Sequence, residues 1–121
     1  MSKSYDEITA HINRGILKLR EAQPEALAGF SAMAKGAMKG GALSDVHKEL
    51  IALAIGVAGN CDGCIAFHAK ALARLKAPRD QVMEALAVAV YMGGGPSLMY
   101  AAEAVHAFEE FTGPVQPGSA A

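Results

Sequence analysis

Apolar residues return every three or four positions along most of the chain, and no stretch alternates as a strand would, so the pattern predicts helices throughout. Ser4 and Glu7 form a candidate capping box, and Tyr5, Ile8, Ile12, Ile16 and Leu19 mark a first helix over about 5–21. Pro24 suits the first turn of a second helix, with Leu27, Phe30, Ala34 and Met38 on one face and Gly40-Gly41 as its stop. Met33 and Met38 read as core filling. Ser44 caps a third helix reaching about Ala58. Its stripe of Val46, Leu50, Leu53, Ala54 and Val57, widened by Ile51 and Ile55, predicts burial on most sides. Gly59-Asn60 marks a turn, with Asn60 as cap of a fourth helix that begins with two cysteines and runs to about Lys76. Pro78 and Asp80 open a fifth helix, with Val82, Leu86, Ala89 and Val90 inward. Gly93-Gly94-Gly95-Pro96 is the strongest break in the chain. A sixth helix follows from about Pro96 to Phe111, presenting Met99, Ala102, Val105 or His106, and Phe108 or Glu109 on successive turns. The expectation is an all-α, single-domain bundle of about six helices over 1–113, with a flexible tail over 114–121.

Composition narrows the class. The 121 residues suit one domain, and 52% hydrophobic against 19% charged residues exclude disorder. Few aromatics and many alanines suit helices that approach closely. A net charge of −1 without a run of Lys or Arg argues against nucleic acid and against an anionic membrane surface as partner. No apolar run reaches membrane-spanning length, and the N-terminal stretch lacks a secretory apolar core, so a cytoplasmic protein is expected.

The candidate chemistry lies in Asn60-Cys61-Asp62-Gly63-Cys64-Ile65-Ala66-Phe67-His68, which holds both cysteines and one of the four histidines. On a helix, Cys61, Cys64 and His68 share one face. A helix N-terminus favours the thiolate, the reactive form of cysteine. His68, one turn beyond Cys64, can take a thiol proton, and its other ring nitrogen needs a partner. A turn near Gly59 that folds the fourth helix back along the third brings Glu49 to the height of His68. On one straight helix, Glu49 would instead lie roughly 18 Å from Cys61. The order Glu49, His68, Cys64, Cys61 thus forms a plausible relay.

Other readings stay open. The cysteines can be buried structural thiols, a non-enzymatic sensor, or zinc ligands with His68 and either Glu49 or His47. A c-type haem site is excluded because Ile65 stands where the attachment histidine belongs. His11 and His47 read as solvated, and nothing pairs with His106. Tyr91 and Tyr100, flanking the glycine break, read as packing or interface residues, with pocket lining as the alternative.

Glu49 followed by Cys61-x-x-Cys64-x-x-x-His68 resembles the signature of alkylhydroperoxidase D-like proteins, of the carboxymuconolactone decarboxylase superfamily. The likeness covers roughly 44–111 and includes Lys48-Glu49-Leu50-Ile51-Ala52-Leu53-Ala54 and the glycine-rich break. The resemblance implies an all-helical subunit assembled as a homotrimer or homohexamer. It implies Cys64 as the thiol that attacks a hydroperoxide, Cys61 as the resolving thiol, His68 and Glu49 as the proton relay, and an external dithiol or thiol-protein as reductant. No cofactor beyond a redox-active Cys61–Cys64 disulfide is implied. Some members carry a histidine between the cysteines, where this chain has Asp62-Gly63. The superfamily's lactone decarboxylases lack the cysteine pair, which makes decarboxylation the alternative activity.

Overall fold

A computed structural model describes residues 3–113, and the tail expected over 114–121 lies outside them. Six helices follow one another: α1 (Tyr5–Ala22), α2 (Pro24–Met38), α3 (Asp45–Ala58), α4 (Asp62–Arg74), α5 (Arg79–Gly93) and α6 (Gly95–Thr112). The described residues include no strand and no helix long and apolar enough to cross a membrane.

Local chemistry sets most of the boundaries. Ser4 Oγ accepts the Glu7 N–H at 3.2 Å, and Ser44 Oγ accepts the His47 N–H at 3.1 Å, so both expected serine caps form. The remaining free donors of α1 are covered from the far end of the chain. Glu110 on α6 accepts the N–H groups of Tyr5 and Asp6, each at 2.9 Å. A single residue, Gly94 with φ 76°, separates α5 from α6, a joint whose backbone conformation favours glycine.

The antiparallel pair α3 and α4 forms the centre, and α5 and α6 pack against it. Leu53, Val57, Ile65, Leu72 and Val82 are fully buried, each contributing about 1.5–3 kcal/mol through removal from water. Ala66, Ala69, Ala104 and Ala107 are buried with them, and their small side chains let the helix axes come close.

The structure corrects several expected faces. α2 buries none of its residues: Phe30 and Met33 are exposed, and Leu27, Ala34 and Met38 are only half-buried. This helix lies on the outside, touching α1 and α3 alone, so Met33 is not core filling. Leu19 of α1 is likewise exposed. α3 is not buried on most sides, because Ile51 and Ile55 face outward while Leu50, Leu53, Gly56 and Val57 face the core. α6 turns Ser97, Ala101, Ala104, Ala107 and Phe108 inward, leaving Met99 and Ala102 exposed. Its rotation is fixed at its start, where Ser97 is tucked against Gly93 so closely that a Cβ on Gly93 would lie 1.9 Å from the serine Oγ. α4 ends at Arg74, and Lys76 takes a left-handed φ of 57° in the turn that follows.

Candidate functional site

The site is built on the turn between α3 and α4. Gly59 N–H returns to Ile55 O at 2.8 Å, Asn60 N–H to Val57 O at 3.1 Å and Cys61 N–H to Gly56 O at 3.0 Å. Asn60 adopts φ 55°, a left-handed conformation that asparagine tolerates better than most residues. It therefore turns the chain and does not cap α4. The cap is Cys61, whose Sγ accepts the Cys64 N–H at 3.1 Å.

Past the turn the two helices nearly touch. A Cβ built on Gly56 would sit 2.8 Å from Cys64 Cβ, so glycine is what allows α3 to approach the cysteine pair this closely. Cys61 and Cys64 are joined as a disulfide with a Cα–Cα separation of 5.3 Å, within the usual span for such bridges. Farther along the hairpin, His68 Nδ1 lies 2.7 Å from Glu49 Oε2. The Glu49 side chain is 15% exposed and that of His68 30%, so bulk water dilutes this contact little. The bond occupies Nδ1 and leaves Nε2 for proton transfer, one helical turn from Cys64. The structure thus gathers all four candidate site residues on one two-helix unit.

Asp62, between the cysteines, belongs to a second network. Lys3 Nζ lies 3.1 Å from Asp62 Oδ2 and 3.7 Å from Glu103 Oε1, and the hydroxyl of buried Tyr5 donates to Glu103 at 2.5 Å. The bond to Asp62 is the main reason the Lys3 ammonium holds its proton above the usual lysine range. Asp62 Oδ1 is shut off from solvent and meets no donor among the described residues. Beside this network a groove of about 460 Å³ is lined by Lys3, Glu7, Ile8, His11, Ile12 and Asp62. Sequence reading missed Lys3, Tyr5 and Glu103 here, since nothing in their own neighbourhoods links them to residue 62.

His47 stands apart from the site. It is exposed, and its Nδ1 pairs with Ser44 Oγ at 3.0 Å. Among the described residues no three His, Cys, Asp or Glu side chains are arranged to hold a metal ion. His11 and His106 are exposed, as is Tyr91, while Tyr100 is half-buried against the core.

Fold and site together define an all-helical Cys-x-x-Cys protein with a Glu–His pair one turn along. The chain belongs to the carboxymuconolactone decarboxylase family, whose sequence profile matches residues 24–107, a span that contains Glu49, Cys61, Cys64 and His68. A crystal structure of an apo carboxymuconolactone decarboxylase family protein from Legionella pneumophila is similar with a TM-score of 0.89 and 52% identity, covering 92% of this chain and 99% of that one. An uncharacterised protein of Cupriavidus necator is 43% identical over 98 residues, 81% of this chain and 87% of its own. An uncharacterised protein of the cox locus of Paracoccus denitrificans is 36% identical over 84 residues, 69% of this chain and 76% of its own.

Proposed function

We propose that the protein is a thiol peroxidase that reduces hydroperoxides through the Cys61–Cys64 dithiol. The observation that carries this reading is the Glu49–His68 bond, which fixes an imidazole one turn from a cysteine already within bridging distance of its partner. Starting from the reduced pair, His68 Nε2 takes the Cys64 proton, and the thiolate attacks one peroxide oxygen. The O–O bond breaks, Cys64 becomes a sulfenic acid, and the departing alkoxide recovers the proton from His68 as an alcohol. Cys61 then attacks the sulfenic sulfur, the disulfide closes and water leaves. A dithiol, free or on a protein, reopens the bridge and is itself oxidised to a disulfide. Glu49 stabilises the imidazolium that forms between these steps.

The active form is a homo-oligomer, either trimer or hexamer. Ile51 and Ile55 on α3, Val88, Tyr91 and Met92 on α5, and Leu98 and Met99 on α6 are large apolar side chains left exposed, and their number supports an assembly that covers them. A cytoplasmic location suits a cycle that needs a reducing partner.

Two substitutions test the chemistry. Cys64→Ser should abolish hydroperoxide consumption in the presence of a dithiol, and Cys61→Ser should leave a sulfenic acid that dimedone traps. Consumption that survives both changes would sink the reading.

A further inference from the structure

Asp62 is an awkward neighbour for a redox-active cysteine pair. Its carboxylate sits in the chain directly after Cys61 and two residues before Cys64, and a nearby anion disfavours ionisation of either thiol. One of its oxygens is sealed from water without a donor. The other is held by Lys3 at 3.1 Å, the only cation paired with Asp62 among the described residues. Lys3 stands 59 positions away in sequence. It is brought to this spot by the buried Tyr5 and by Glu103, which Tyr5 and Lys3 share.

We propose that Lys3 is a positioning residue for the dithiol: its ammonium holds and offsets the Asp62 carboxylate, so that the cysteines ionise without an unpaired anion alongside. This rests on reading Cys61 and Cys64 as the redox pair. Other charged groups stand on the elements packed around Asp62 and the hairpin. Glu49 and His68 stand along the hairpin, Glu7 and His11 of α1 line the groove next to Asp62, and Glu103 and Glu110 extend from α6. Lys70 of α4 is turned toward Asp6 of α1 and is not paired with Asp62, so among the described residues removing Lys3 takes away the one cation that pairs with the Asp62 carboxylate.

The Lys3–Asp62 pair is half-exposed, which keeps the expected effect modest. Reduced protein is titrated by thiolate absorbance near 240 nm, without peroxide, at low salt. Lys3→Met should raise the apparent thiol pKa by about 0.3–0.7, roughly a two- to fivefold loss of thiolate below that pKa. Lys3→Arg should keep the wild-type value. Adding Asp62→Asn to Lys3→Met should restore it, because the charge to be offset is gone. Raising salt to about 0.5 M should shrink the difference between Lys3→Met and wild type. A merely structural tether would not be rescued by Asp62→Asn. An unchanged titration for Lys3→Met, or a shift that persists in the double variant, would overturn the proposal. Because no peroxide is present, either result leaves the peroxidase reading to its own test, and a protein that fails to consume hydroperoxide can still show the thiolate shift.

Discussion

Glu49 and His68 are 19 positions apart in sequence, yet their side chains meet at 2.7 Å because the chain reverses at Asn60 and the two residues stand at equal height on facing helices. The bond fixes the ring orientation of His68. Glu49→Gln keeps the size and can still pair, but it loses the charge that stabilises an imidazolium. Peroxide-driven closure of the disulfide should slow by about tenfold to a hundredfold in this variant. Stopped-flow thiol loss measures it, with helix content unchanged by circular dichroism.

Gly56→Ala probes the contact that seats the cysteines. The added methyl overlaps Cys64 Cβ, which is backbone-fixed and cannot swing aside. Separation of α3 from α4 should cost about 1–3 kcal/mol in urea unfolding. The same shift should weaken the reach between His68 and Glu49, so peroxide consumption should fall along with stability.

Glu110 gives an acid-side prediction. Burial works to raise its pKa, but the N–H groups of Asp6 and Tyr5 and the Ser4 hydroxyl together outweigh burial and hold it below the ordinary glutamate range. The unfolded chain therefore binds the proton more readily than the native one. The resulting stabilisation is fully present above the unfolded pKa of about 4.3 and is lost as pH falls through the lower native value. Glu110→Gln should be less stable than wild type at pH 7 in urea, and the gap should close on acidification.

Tyr5 gives the base-side counterpart. Burial first, then its hydrogen bond to Glu103, pushes its pKa well above the ordinary tyrosine range. Its contribution is fully present below the unfolded tyrosine pKa of about 10 and declines as pH rises beyond it. Absorbance near 295 nm should show one tyrosine deferred until the fold opens, and Tyr5→Phe should remove that deferred step. The same variant should lose about 1 kcal/mol at neutral pH.

Features controlled by near neighbours were legible in the sequence. Ser4 and Ser44 cap their helices as expected, and the hairpin estimate brought Glu49 level with His68, because turn residues and helix rise are local quantities. The misread faces depend on packing. Met99 follows the 3.6-residue period as well as Ala101 does, and the packing of α6 against its neighbours, with Ser97 seated close to Gly93 at its start, turns Ala101 inward and leaves Met99 exposed. α2 has the apolar residues of a core helix but no core to meet within the chain. The link from Glu110 to Tyr5 spans 105 positions and that from Lys3 to Asp62 spans 59, and no local pattern announces either.

Cys61 has two jobs on one atom, since its sulfur both joins the disulfide and receives the Cys64 amide as the cap of α4. A thiolate is a far better acceptor than a disulfide sulfur, and it also suits the positive end of the helix. An ionised Cys61 would therefore hold the first turn of α4 more firmly than the bridged sulfur does. The disulfide and the start of α4 share one atom, so a step that changes the charge on that sulfur is felt directly at the helix end.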